Sequence, residues 1–83
     1  MKKILIYTTL VCPYCVRAKA LLKRKGFIYE EINANDDKIR DEMIKKSGGM
    51  RTVPQIFIGD QHIGGCDELY ALEKDGKLDQ MVK

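Results

Sequence analysis

Lys3-Ile4-Leu5-Ile6-Tyr7-Thr8, with Cys12-Pro13-Tyr14-Cys15 close behind it, is the most informative run in this 83-residue chain. Its centre is apolar without alternation, the pattern of a strand covered on both faces and therefore central in a sheet. Pro13 suits the first turn of a helix, where the N–H it lacks has no partner anyway, and Gly26 suits the position just past the end. A helix from Pro13 to about Lys25 places Cys15, Ala18 and Leu22 on one face with Leu21 beside them. Arg17, Lys23 and Arg24 then point elsewhere. A buried strand feeding such a helix opens a sheet with helices on its faces.

The rest of the chain extends this frame. Phe27 to Ile32 alternates as a second strand, and Glu30 and Glu31 place it at an edge. Asn35 is a candidate cap for a second helix, with Asp36 and Asp37 in its first turn and Lys45 and Lys46 in its last, an order that complements the helix dipole. Ile39 and Met43 give that helix its buried stripe, and Ser47-Gly48-Gly49 ends it. Gln55 to Ile58 and Gln61 to Ile63 flank Gly59-Asp60, a two-residue hairpin signal. A last helix runs from about Asp67 to Asp75 and closes at Gly76. The expected fold is α/β: a small mixed four-stranded sheet in the order β-α-β-α-β-β-α. Its first two strands are joined by a right-handed parallel crossover and its last two form a hairpin.

Composition sets the outer limits. The length allows one domain, 1–83, with one core. An apolar fraction of 45% and a charged fraction of 33% are those of a globular protein and exclude disorder. No apolar run approaches the ~20 residues of a membrane helix. The net charge of +3 is too small to argue for nucleic acid, and the absence of Trp and of interleaved aromatics argues against it. Three cysteines, an odd number, fit a reducing compartment better than a secreted disulfide framework, so a cytoplasmic location is expected, and a monomer is expected beside it. Lys2 and Lys3 before an apolar stretch and Cys12 imitate a lipoprotein leader, but Thr9, Leu10 and Val11 are not the small residues such a cleavage site requires.

The chemistry centres on the Cys-x-x-Cys pair. With Pro13 as the first helical residue, Cys12 is the N-cap, and its sulfur is in place to accept from the free Tyr14 and Cys15 amides. Those bonds and the positive end of the helix dipole favour thiolate over thiol, so Cys12 is expected to have a depressed pKa. Cys15 lies on the apolar face and is expected to be buried and protonated. The exposed thiol attacks and the sheltered one resolves the mixed disulfide. Competing readings are half of a zinc site completed by His62 and Cys66, and two inert core cysteines. Pro13 and the lack of a second Cys-x-x-Cys weigh against zinc.

Gly64-Gly65 before a helix start lets backbone approach a ligand, and the start offers free N–H groups to a carboxylate. Asp67 can then take an ammonium group, or serve only as an N-cap. The first helix also carries Arg17, Lys19, Lys23, Arg24 and Lys25 with no acid. This is either a solvated basic face or a field that draws anionic thiols and acidic partner proteins.

Cys12-Pro13-Tyr14-Cys15, Thr52-Val53-Pro54 and Gly64-Gly65-Cys66-Asp67, in this order and on this frame, resemble a dithiol glutaredoxin over essentially the whole chain. The resemblance implies a thioredoxin-like fold and glutathione as reducing co-substrate, with no metal. It implies Cys12 as nucleophile and Cys15 as resolving thiol, acting on glutathionylated or disulfide-containing proteins. It also implies that Tyr14, Arg51, Thr52, Val53, Pro54, Gly65, Cys66 and Asp67 bind glutathione. In that scheme a cis Val53–Pro54 bond leaves the Val53 backbone free to pair with the ligand's cysteine. Arg51 lies near the glycyl carboxylate, and Cys66 contributes backbone rather than sulfur. Thr9 stands where many relatives have lysine, and Val11 where threonine is frequent. Two alternatives share the frame: a thioredoxin-type disulfide reductase, and a carrier in which Cys12 and glutathione ligate an iron–sulfur cluster.

Overall fold

The structure, a computed structural model, describes residues 1–83. Its elements are β1 (Ile4–Thr8), α1 (Pro13–Arg24), β2 (Tyr29–Asn33), α2 (Asp37–Lys46), β3 (Gln55–Ile58), β4 (Gln61–Gly64), α3 (Cys66–Lys74) and α4 (Leu78–Val82). They build one four-stranded sheet in the order β2-β1-β3-β4. The apolar run is a central strand, parallel to β2 and antiparallel to β3. β3 and β4 form the hairpin around Gly59-Asp60, and β2 is an edge carrying both glutamates.

Alternation along β1 and β3 divides the interior in two. Ile4, Ile6, Ile56 and Ile58 face Ala18, Leu21 and Leu22 of α1, Leu69 of α3, and Leu78 and Val82 of α4. Tyr7 and Phe57 face the other way, against Ala34 and Met43. No helix is long and apolar enough to cross a membrane.

Several boundaries differ from the sequence expectation, each for a local reason. β2 begins at Tyr29 rather than Phe27 because the Phe27 N–H bonds back to the Leu22 carbonyl at 3.0 Å. Together with the Gly26 N–H on Lys23 O and a Gly26 φ of 76°, this is a Schellman closure of α1. α2 is capped by Asp36, whose carboxylate accepts from Ile39 N–H at 3.3 Å. Asn35 is not the cap, and its N–H instead donates to the Asn33 side chain at 2.8 Å. α3 starts one residue early, at Cys66, with Gly65 as N-cap. The short helix α4 was not expected. It buries Leu78 and Val82, four residues apart, and Lys25 of the α1 cap ties it down through Asp79 at 3.1 Å while pairing with Glu73 at 3.0 Å.

Candidate active site

Four residues beyond the end of β1, Cys12 is the N-cap of α1, in extended conformation. Its Sγ accepts from the Cys15 N–H at 3.1 Å. The expected second bond, from Tyr14, is not made, so one amide rather than two faces the sulfur. Cys12 and Cys15 are joined as a disulfide across α-carbons 5.2 Å apart. Cys15 is 2% exposed beneath the helix, whereas Cys12 is half-buried and reachable from solvent. The asymmetry expected from helical spacing is present.

Beside this pair lies a cleft of about 260 Å³. Tyr14 of α1, the Thr52-Val53-Pro54 loop before β3, and Gly65, Cys66, Asp67 and Glu68 at the start of α3 line it. Cys12 borders it, its Sγ 3.8 Å from the Val53 carbonyl oxygen, a van der Waals contact while the sulfur is oxidised. The Val53–Pro54 peptide is cis. Neither Val53 N–H nor its carbonyl takes part in a backbone hydrogen bond. Of the residues expected to bind the ligand, only Arg51 stands outside this lining, exposed on the preceding loop, while Cys15 is buried beneath α1.

The start of α3 is open. Gly65 has no side chain with which to cap, so the N–H groups of Cys66 and Asp67 at the first two helical positions have no intrahelical acceptor. Asp67 sits at the second helical position rather than at the cap, and its exposed carboxylate forms no hydrogen bond or ion pair. Glu68 was not singled out from the sequence. Its Oε1 accepts from Gly65 N–H at 2.7 Å, one arm of a capping box. An acidic residue three positions past a helix N-cap is the signal that could have found it.

Cys66 is a free thiol, 4% exposed, on the inner side of the same turn. Burial pushes its pKa up, Arg17 pulls against this, and Asp67 and Glu68 push the same way as burial. The Arg17 guanidinium lies 5.4 Å from the Tyr70 ring centre, and the Tyr70 hydroxyl donates to Arg17 O, which fastens α1 to α3. No group of three or more His, Cys, Asp or Glu side chains is placed to hold a metal ion, and His62 bonds to Gln55 rather than facing the cysteine pair.

A Cys-x-x-Cys disulfide at a helix start, behind a central strand of a mixed sheet, defines a thiol–disulfide oxidoreductase of thioredoxin-like fold. The glutaredoxin family model matches residues 4–63. Glutaredoxin 3 of Escherichia coli K12 is 58% identical over 85 residues, spanning 100% of both chains. The solution structure of glutaredoxin from Brucella melitensis superposes with a TM-score of 0.88 at 56% identity, covering 100% of this chain and 90% of that one. A buckwheat glutaredoxin solved in complex with glutathione gives a TM-score of 0.85 at 35% identity, over 95% of this chain and 74% of that one. The chain belongs to the glutaredoxin family.

Proposed function

We propose that this protein uses glutathione to reduce glutathione mixed disulfides and protein disulfides, with Cys12 as nucleophile and Cys15 as resolving thiol. The observation that carries the reading is the unpartnered Asp67 carboxylate beside the open Cys66 and Asp67 amides, in the cleft that Cys12 borders. The γ-glutamyl end of glutathione has a carboxylate and an ammonium on one carbon. The amides at the helix start take the first and Asp67 takes the second. The unpaired Val53 main chain pairs with the ligand's cysteine, while Thr52, Pro54, Gly65 and Tyr14 wall the cleft. Arg51 attracts the glycyl carboxylate from the rim. The buckwheat complex supports glutathione as the ligand.

The Cys12 thiolate attacks the glutathionyl sulfur of a mixed disulfide, and the substrate's sulfur leaves as thiolate and takes a proton from water. A second glutathione thiolate attacks the sulfur now bound to Cys12, releasing oxidised glutathione and restoring the Cys12 thiolate. With a protein disulfide, Cys12 forms a mixed disulfide to the protein, and the Cys15 thiolate then attacks Cys12 Sγ. The reduced protein leaves, and the Cys12–Cys15 disulfide that remains is the state seen here. The chain acts as a cytoplasmic monomer. Glu30 and Glu31 on the β2 edge, paired with Lys3 and Lys19, support the monomeric state by opposing strand addition.

The test compares three variants with glutathione as variable substrate. Cys12→Ser is expected to lose all activity. Cys15→Ser is expected to retain removal of glutathione from mixed disulfides and to lose reduction of protein disulfides. Asp67→Asn is expected to raise KM for glutathione by the ~1.5–3 kcal/mol of a charged hydrogen bond, with kcat little changed. An unchanged KM in Asp67→Asn overturns the glutathione site. Equal loss of both activities in a folded Cys15→Ser overturns the division of roles.

A further inference from the structure

Gln55 is 1% exposed and lies at the junction of the cleft loop and β3. Its Nε2 donates to the Thr52 main-chain oxygen at 2.9 Å and to Thr52 Oγ1 at 3.3 Å. Both amide hydrogens are then engaged, so Oε1 must face a donor. His62 Nε2, 2.7 Å away on β4, is that donor and therefore carries a proton. The His62 ring is held in turn against Phe57, with ring centres 5.0 Å apart. A relay thus runs across the hairpin from His62 through Gln55 to Thr52.

Its consequence falls one peptide further on. The Thr52–Val53 bond is trans, and in a trans peptide the C=O and N–H point in opposite directions. Gln55 draws the Thr52 carbonyl toward the interior, so the Val53 N–H is turned away from it. That N–H donates to nothing in the protein, and Val53 lines the cleft beside Cys12. We infer that Gln55, oriented by His62, is a positioning residue that aims the Val53 N–H at the main chain of the bound thiol substrate. Neither side chain lines the cleft, and both act through the Thr52–Val53 peptide. The inference rests on the glutathione reading above, because it needs a ligand with a peptide carbonyl next to its sulfur.

The experiment measures kcat and KM for glutathione in Gln55→Leu, His62→Phe and Asp67→Asn, together with the rate at which iodoacetamide alkylates reduced Cys12. Gln55→Leu removes both donors to Thr52, and KM is expected to rise about tenfold, the scale of one well-placed hydrogen bond. The Cys12 alkylation rate is expected to stay within about twofold, since its thiolate draws on the start of α1. His62→Phe keeps a ring against Phe57 and leaves Oε1 without its donor. It tests the relay should Gln55→Leu fail to fold, with an expected rise in KM of about threefold. In the amide NMR spectrum, S-methylglutathione is expected to shift the Val53 resonance strongly in the parent protein and weakly in Gln55→Leu. If Asp67→Asn raises KM while Gln55→Leu and His62→Phe do not, the relay is refuted and the glutathione site stands. If none of the three moves KM, the glutathione reading fails and the relay with it. A Gln55→Leu protein that loses kcat and alkylation rate together at unchanged KM shows only a structural role, and also overturns the inference.

Discussion

Gly64 is held at a φ of 120°, where residues with a Cβ are rarely found. A Cβ built there lies 2.6 Å from Glu68 Oε1 and 2.9 Å from Glu68 Cγ. Gly64→Ala therefore has two costs. The backbone strain is about 1–3 kcal/mol. The clash is relieved only if the flexible Glu68 swings away, breaking its bond to Gly65 N–H and losing about 1 kcal/mol of capping. The sum is about 2–4 kcal/mol, against about 1 kcal/mol for Glu68→Ala alone. In the double variant the cap is lost once and not twice, so it should be about as unstable as Gly64→Ala by itself. The cycle should then give a coupling of about 1 kcal/mol. Urea unfolding at fixed pH reads these differences, and for a domain of this size each 1 kcal/mol lowers Tm by roughly 4–8 °C. Strict additivity, or a Gly64→Ala loss below about 0.5 kcal/mol, refutes the claim that Glu68 and the Gly64 backbone share one space.

Two further expectations concern pH. The Thr8 hydroxyl and the Lys19 ammonium hold the Glu31 carboxyl below its ordinary 4.5, so their contribution is present above that value and disappears as pH falls through the lower folded value. Glu31→Gln should accordingly cost more stability in urea titrations at neutral pH than in acid, and an equal cost at both would show that the carboxylate's charge is irrelevant. Tyr7, fully buried with its hydroxyl donating to Glu42 at 2.8 Å, is pushed up to about 12, by burial first and Glu42 second. That stability is intact below the ordinary value and declines as pH rises through the folded one, by roughly 2–3 kcal/mol over the whole step. Lys25, raised by Glu73 and Asp79, titrates in the same alkaline region, so the signal is the difference between parent and Tyr7→Phe rather than the raw alkaline fall. In phenolate absorbance one of the four tyrosines should titrate last, and Tyr7→Phe should remove that step.

The features legible in the sequence were those that a single residue type forces. A short unbroken apolar run suits a central strand, Gly59-Asp60 suits a tight turn, and Pro13 behind a cysteine suits a helix start. The three short motifs meet around one cleft, while Arg51, just before the second of them, stands outside its lining. What escaped were choices between neighbours that differ only in three dimensions. Asn35 and Asp36 are both good caps, and the Asx turn from Asn33 decided between them. Phe27 looks like strand until its N–H is needed to close α1. The residues of α4 show their helical pairing only in three dimensions, where Leu78 and Val82 enter the core and Lys25, distant in sequence, meets Asp79. Gln55 and Glu68 stand in the sequence only as strand and helix residues, since nothing in their spacing shows which main-chain groups they hold.

Two helix starts meet at this site, and one residue type at each N-cap sets them apart. At α1 the cap is Cys12, whose sulfur occupies the Cys15 amide, so that start serves the protein's own reactive atom. At α3 the cap is Gly65, which has no side chain to turn inward, and Glu68 reaches back instead to the Gly65 N–H behind the first turn. The first two amides of α3 are left for something else. Glycine is also what lets the two cleft walls approach, because a Cβ on Gly65 would lie 3.3 Å from the Pro54 carbonyl oxygen. A serine or aspartate cap at 65 would crowd the loop that carries Val53 and would fill the open start with its own oxygen. The helix proposed to hold the nucleophile is thus capped by that cysteine's own sulfur, and the helix proposed to hold the ligand keeps its first two amides free to receive it.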